Sequence, residues 1–405
     1  MIFKLAWRNI WRNKRRTYIT AASILFAVLL ASLMESLQKG AWDNMIGNVV
    51  NFYIGYAQIH QKGYWEDQSL DQAIPFTAEL KNIPKEVSEV KNVLPRMESF
   101  ALASTGNTTM GALVVGIDPE VENRMTQLQT RLRQGAYLNA TDKAALVAEG
   151  VADNLNLKVG DTLVLVSQGY HGVNAAGKYP VKGIIHLGSP ELNKQMVYLP
   201  LHEAQWFFGA EGLITSLALH IERPGDVTKA VKAVKAKLNL QEYEVMDWKE
   251  LLPDLVRAKA LDSAGNYIVY CILYLIIAFG IFGTILMMTK ERSYEFGVLV
   301  AIGMRRFRLS ATVWLEVIML GLLGAAAGIL CSVPVVGYFH NNPLHFSGNY
   351  AAAMERYGFE PIFPAAFRPS IFLVQAIVVI ILTALMALYP IFKIRKLEPV
   401  EAMRD

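Results

Sequence analysis

Residues 290–308 read KERSYEFGVLVAIGMRRFR. The stretch opens on three charges, turns apolar, halts at Gly303 and closes on Arg305, Arg306 and Arg308. An uncharged run lies on each side, Ile268–Met288 and Val317–Phe339. Working outward, two further runs appear: Ser370–Phe392, also uncharged, and Thr17–Leu37, whose one charge is Glu35. Each is long enough to cross a bilayer core, which takes roughly 20 helical residues. Composition agrees. The 405 residues are 53% hydrophobic and 18% charged, against about 25% charged in ordinary soluble chains.

The formal net charge of +4 is small, but its placement orders the chain. Lys4, Arg8, Arg12, Lys14, Arg15 and Arg16 precede the first run. Lys290, Arg292, Arg305, Arg306 and Arg308 separate the second and third, and Lys393, Arg395, Lys396 and Arg404 follow the fourth. The positive-inside rule puts all three clusters in the cytoplasm. Four spans then require region 40–265 and loop 340–368 on the far side. Every basic cluster adjoins a membrane end, which argues against nucleic acid as a partner.

The expected fold class is an α-helical membrane protein with four transmembrane helices and a large mixed α+β extracytoplasmic domain inserted between spans 1 and 2. Its expected divisions are a cytoplasmic interfacial amphipathic helix (1–16), span 1 (17–39), the extracytoplasmic domain with stalk helices (40–265) and span 2 (266–289). A cytoplasmic loop (290–308), span 3 (309–339), an extracytoplasmic loop (340–368), span 4 (369–392) and a cytoplasmic tail (393–405) complete it. The first run follows roughly 20 residues that include Trp7 and Trp11, so an uncleaved anchor is expected rather than a signal peptide. Cys271 and Cys331 both fall inside spans and fit neither a disulfide framework nor a zinc site.

Residues 2–16 read as an amphipathic helix on the inner face. Phe3, Trp7 and Ile10 share a stripe, with Lys4, Arg8, Arg12 and Arg15 beside it. Trp7, Arg8, Trp11 and Arg12 suit the headgroup level as interfacial anchors. In the far-side region, 111–117, 161–167, 179–187, 195–201 and 213–221 look like strands, rich in Val, Ile, Leu and Tyr. Residues 144–157 and 225–240 read as helices. Residues 168–178, QGYHGVNAAGK, have turn chemistry and read as an exposed hairpin tip. After Pro253 the only breakers before Lys290 are Gly265, Gly280 and Gly283; if helical throughout, the element is longer than the bilayer core is thick, hence a projecting stalk. Residues 38–55, with Met45, Val49 and Phe52 on one face, are expected to form a second stalk.

In the third run Gly321, Gly324 and Gly328 permit close helix packing, although membrane helices also tolerate glycine without it. Glu316, just before that run, reads as a helix-end residue facing headgroups or a partner. No G-x-x-x-x-G-K-[ST], H-E-x-x-H, C-x-x-C or G-x-S-x-G stretch occurs. The seven histidines are scattered. No catalytic, cofactor or metal site is expected, which favours transport or signalling.

The opening stretch is then a short helix, Tyr294 to Ile302, ended by Gly303. Pattern alone leaves open a passive interfacial helix or a plug for a cytoplasmic partner. YEFGVLVAIGMRRFRL resembles the coupling segment of ABC-transporter permeases of the MacB/FtsX type, which include the lipoprotein-releasing permeases. The ending RKLEPVEAMRD, with Pro399 and the Glu401-Ala402 pair, is similar to theirs. So are the start LAWRNIWRNKRRTYIT and the passage GYAQIHQKGYW after the first span.

The resemblance implies a non-catalytic subunit that pairs with a second permease, identical or paralogous, in the inner membrane, with both termini cytoplasmic. Separate ABC ATPase subunits would bind ATP and Mg. They would push on Glu291, Tyr294, Glu295, Phe296, Gly297, Leu299, Val300, Ile302 and Gly303, with Phe296 in an apolar cleft of the ATPase. It further implies lipoprotein release, or export of drugs, peptides or toxins, or signalling to a cell-wall hydrolase. Tyr170, His171, Val173 and Asn174 stand where lipoprotein-releasing permeases have a hairpin that hooks a periplasmic lipoprotein carrier.

Overall fold

A computed structural model describes residues 2–12, 14–106, 108–356, 360–398 and 402. Pro399, Glu401 and Arg404, three of the residues singled out at the C-terminus, lie outside them. In chain order, helix α1 (Ile2–Arg12) precedes α2 (Lys14–Val49), which ends in a π-helical turn, Val50–Ile54. Then come β1 (Ala57–Gln61), β2 (Val90–Ser104), β3 (Thr109–Ile117), α3 (Pro119–Thr126), β4 (Ala145–Ala148) and α4 (Glu149–Leu155). They are followed by β5 (Thr162–Gln168), β6 (Asn174–Ile185), β7 (Met196–Pro200), α5 (Leu201–Phe208), β8 (Ser216–Ile221), α6 (Val227–Lys235) and β9 (Tyr243–Asp247). The chain ends with α7 (Pro253–Glu291), α8 (Ser293–Ala301), α9 (Arg306–Asn341), α10 (Asn349–Arg356), α11 (Pro369–Met386) and α12 (Leu388–Arg395).

Two compact units result. One comprises Met1–Asp43, Lys259–His345 and Ile362–Asp405; the other comprises Asn44–Ala258 and Phe346–Pro361. The first holds the apolar helices. Among the described residues, four stretches are long and apolar enough to cross a membrane: Thr17–Val49, Pro253–Glu291, Arg306–Asn341 and Pro369–Arg395. At 1.5 Å per residue the 39 residues of α7 rise about 58 Å. That is well beyond the roughly 30 Å of a hydrocarbon core.

In the second unit, six strands close on themselves. β2 pairs β3, β3 pairs β7, β7 pairs β4, β4 pairs β6, β6 pairs β5, and β5 returns to β2. Closure removes the exposed strand edges that invite aggregation. β2 is long enough to serve two sheets. Its first half carries β8, β1 and β9 as an antiparallel extension on which α6 packs, through Val227, Ala230, Val231 and Val234. The segment 346–361 also belongs to this unit. Its Glu360 carboxylate accepts from the side-chain amides of Asn44, at 2.9 Å, and Asn48, at 2.6 Å.

Residues 144–157 are a strand followed by a helix, not the single helix expected. Ala145–Ala148 pairs on both sides in the ring and is buried throughout, so ladder bonding overrides the helical bias of alanine and leucine. Residues 213–221 divide at Thr215, whose hydroxyl binds the Arg96 carbonyl at 3.2 Å. The predicted tip at 168–178 is the β5–β6 turn, in register from Gln168 and Asn174.

Candidate functional site

α8 lies between the second and third apolar helices, within the membrane unit. Its C-terminus closes as a Schellman turn. Gly303, at φ +99°, donates to the Val300 carbonyl, and Met304 donates to that of Leu299. A left-handed residue is needed there, and glycine adopts it without Cβ strain. Arg305 then opens α9.

The inward face of α8 is apolar. Phe296 is only 1% exposed and packs with Leu309, Val313, Ile394 and Leu397, while Leu299, Val300 and Met304 are partly buried against them. Phe296 is therefore a root that fixes α8 to α9 and α12, which corrects its expected place in a partner's cleft. Burying such a ring contributes about 1.5–3 kcal/mol. Gly297 is buried beside it. The outward face is Tyr294, 58% exposed, and Ile302, 75% exposed, continued by Phe307 on α9. Arg306 ties the start of α9 to the end of α12 by donating to the Arg395 and Leu397 carbonyls, at 3.1 and 2.9 Å.

The N-terminal end of α8 is held by charge. Arg12 of α1 grips the Glu295 carboxylate at 2.5 and 2.7 Å. Arg292 reaches Glu295 at 3.4 Å and both oxygens of Glu316 on α9 at 2.8 Å, and its guanidinium lies 5.2 Å from the centre of the Phe296 ring. Arg12, Glu295, Arg292 and Glu316 thus form one chain of charges across α1, α8 and α9. Glu316 faces inward to Arg292 of the same chain, not toward headgroups or a partner as expected. Partial burial works to raise the Glu295 carboxyl, but the hydrogen bonds and charge of Arg12, with Arg292 behind it, outweigh this and hold it below the ordinary range. A cavity of about 270 Å³ adjoins these residues, with Glu291, Asn9 and Thr20 also in its wall.

The other singled-out residues fall elsewhere. On α1, Ala6 and Ile10 pack against Met319 and Leu320, so Ile10 leaves the stripe expected with Phe3 and Trp7. Phe3, Trp7, Arg8 and Trp11 face outward, the two indoles 5.9 Å apart edge to face. A Cβ on Gly324 would lie 2.6 Å from Ile24 Cβ, and one on Gly328 2.7 Å from Val28 Cβ; Gly321 meets Thr383 of α11. Glycine at 324 and 328 thus allows α9 to touch α2 closely. At the β5–β6 tip, His171, Val173 and Asn174 are exposed and Tyr170 half-buried. The His171 amide donates to Asp71 at 2.7 Å.

Sequence reading missed a cluster in the other unit. Arg96 on β2 pairs with Glu122 of α3 at 2.5 and 3.1 Å and donates to the Tyr53 carbonyl in the π-helical turn. Glu98 accepts from the Tyr53 hydroxyl at 2.9 Å and from Ser216 at 3.3 Å. All three charged side chains are buried. Burial lifts the Glu98 carboxyl above the ordinary range, with Arg96 opposing. Arg96 and Glu98 alternate along β2 and so share a face, the one available signal.

Four apolar helices, an amphipathic helix rooted between the second and third, and an α/β domain inserted after the first define a membrane permease with a large extracytoplasmic domain. Residues 267–399 match the FtsX-like permease C-terminal model and residues 19–237 the MacB-like periplasmic core domain. The chain belongs to this family of ABC-transporter permeases, which works with ATPase subunits. It is 21% identical over 329 residues to the lipoprotein-releasing system transmembrane protein LolC of Xylella fastidiosa, covering 78% of each chain. It is 19% identical over 338 residues to the macrolide export ATP-binding/permease protein MacB of Escherichia coli, 81% of this chain and 51% of that one. The chain thus spans about half the length of the ATP-binding/permease relative. The solved periplasmic region of MacB from Actinobacillus actinomycetemcomitans aligns with TM-score 0.34 at 15% identity, covering 47% of this chain and 87% of that one.

Proposed function

We propose that the chain is the non-catalytic membrane subunit of an inner-membrane ABC transporter, with both termini cytoplasmic and the inserted domain periplasmic. α8 is the coupling helix against which a separate ATPase, binding ATP and Mg, pushes. The observation that carries this reading is the split of α8 into a buried root at Phe296 and an exposed face at Tyr294 and Ile302. A passive loop helix needs no such root. A rooted helix passes a push on its outer face directly to α9 and α12. A second permease, identical or paralogous, covers α7, of whose apolar window only 17% is buried, against 39–44% for the other three.

The work done is release of lipoproteins from the membrane, a reading supported by the alignment with LolC over most of both chains. Export of a small molecule or peptide is the second reading, supported by the MacB and PvdT relatives. Signalling to a cell-wall hydrolase fits less well with a domain of this size. In the first reading the tip with His171, Val173 and Asn174 is the surface on which a periplasmic carrier docks.

The test is a pull-down of the tagged full chain from its own membranes. Tyr294→Asp with Ile302→Asp is expected to leave a stable membrane protein that no longer retains its ATPase. Retention at wild-type stoichiometry, with function intact, would exclude α8 as the coupling helix.

A further inference from the structure

A second cleft reaches α8 at Ser293. It has a volume of about 470 Å³, and its walls include Ser293, Tyr389, Phe392, Lys393, Lys396 and Glu398. That volume is within the roughly 300–1,000 Å³ of small-molecule sites. We propose that this cleft binds the phosphodiester headgroup of an anionic membrane lipid.

Three features support this. First, Lys393 and Lys396 have no anionic partner among the described residues, whereas Arg12 and Arg292 are paired with carboxylates. Among the described residues of the wall, two cations face a single carboxylate, Glu398. Second, the cleft sits at the end of the fourth apolar helix, Pro369–Arg395, where headgroups lie. Third, its wall combines the two lysines with the aromatic rings of Tyr389 and Phe392, and Phe392 is largely exposed. A phosphate would meet the ammonium groups while the glycerol and first methylenes lie along the rings. The helix dipole accounts for basic residues at the end of α12. It does not account for a cleft beside them, nor for its aromatic wall. A headgroup seated there would touch both α8, through Ser293, and the chain after α12, and so would stiffen the root of α8.

The proposal is tested by native mass spectrometry of the delipidated full chain titrated with phosphatidylglycerol or phosphatidylcholine. Wild-type protein is expected to retain one phosphatidylglycerol more tightly than any phosphatidylcholine. Lys393→Gln with Lys396→Gln is expected to weaken that binding about tenfold or more, and Lys393→Arg with Lys396→Arg to preserve it. Lys290→Gln with Arg305→Gln removes the same charge outside this cleft and is expected to change it less than about twofold. Equal losses in both glutamine pairs would mean only diffuse surface charge, and overturn the site. Displacement of the lipid by excess inorganic phosphate would make the ligand a soluble anion instead. Unchanged lipid retention, with loss of the ATPase, would assign the lysines to an acidic protein surface and also overturn it.

Discussion

Two arginine–glutamate pairs stand in opposite environments. In the extracytoplasmic unit, Arg96 and Glu122 are almost wholly buried, with side chains 1% and 2% exposed. At α8, Arg12 and Glu295 make an equally close contact with side chains 55% and 43% exposed. Geometry is nearly the same, yet the energetics are not. An exposed pair is screened by water and contributes 0–1 kcal/mol. A buried pair has lost its hydration, so removing one partner leaves a charge that nothing solvates. The buried cluster is thus a fastening that fails abruptly, whereas the Arg12–Glu295 pair, the exposed end of the charge chain at α8, can open and close at little cost.

The largest expected effect comes from breaking the buried cluster. Arg96→Met leaves Glu122 and Glu98 facing each other without a cation and frees the Tyr53 carbonyl. The loss should be about 3–5 kcal/mol, read as a fall in the thermal midpoint of the purified chain. Arg96→Met with Glu122→Leu should recover much of it, because the stranded charge is gone. A single-variant loss below about 1 kcal/mol would erase the contrast between the clusters.

Next in size is the root of α8. Phe296→Ala empties a site closed by Leu309, Val313 and Ile394. Core Phe→Ala changes cost about 3–5 kcal/mol, reduced here to the extent that α8 can settle into the space. Hydrogen–deuterium exchange should quicken in 293–313 and around Ile394, with 90–122 unchanged. Unaltered exchange at α8 would mean that the helix is held by its charges alone.

How much of this was legible in the sequence follows from the range of each signal. The apolar runs, the turn at Gly303 and the amphipathic α8 are local patterns, and they were visible. Which side of α8 faces inward was not, because Phe296 and Ile302 are equally apolar. Only the neighbours brought by α9 and α12 distinguish them. β2 was hidden because Pro95, Arg96 and Glu98 interrupt its apolar pattern. Those charges are satisfied by Glu122, Tyr53 and Ser216, far away in the chain. The strand at Ala145–Ala148 was misread for a similar reason: four small apolar residues carry no period, and pairing decides their state. Glu316 lies about three turns inside α9 rather than at a helix end, and its partner Arg292 lies 24 residues earlier.

The smallest expected effect is the one that sharpens the comparison most. Arg12→Gln removes the cation from Glu295 while leaving Arg292 in place. The stability change should be no more than about 1 kcal/mol, since both side chains are nearly half exposed. Its pH signature is more telling than its size. Glu295 is held below its ordinary range in the folded protein, so its contribution is present above the unfolded value, near 4.3, and fades as pH falls through the folded one. Glu98 is held above its range by burial, so its contribution has the opposite sign: the fold gains as falling pH protonates it. Protection at α8, taken relative to the intrinsic amide rate at each pH, should therefore fall on acidification below about pH 4 in the wild type, and Arg12→Gln should largely remove that dependence. Protection in β2 around Glu98, taken relative to the intrinsic amide rate at each pH, should rise as pH falls toward the same point, in both proteins. A common sign at the two sites would mean that burial does not separate them.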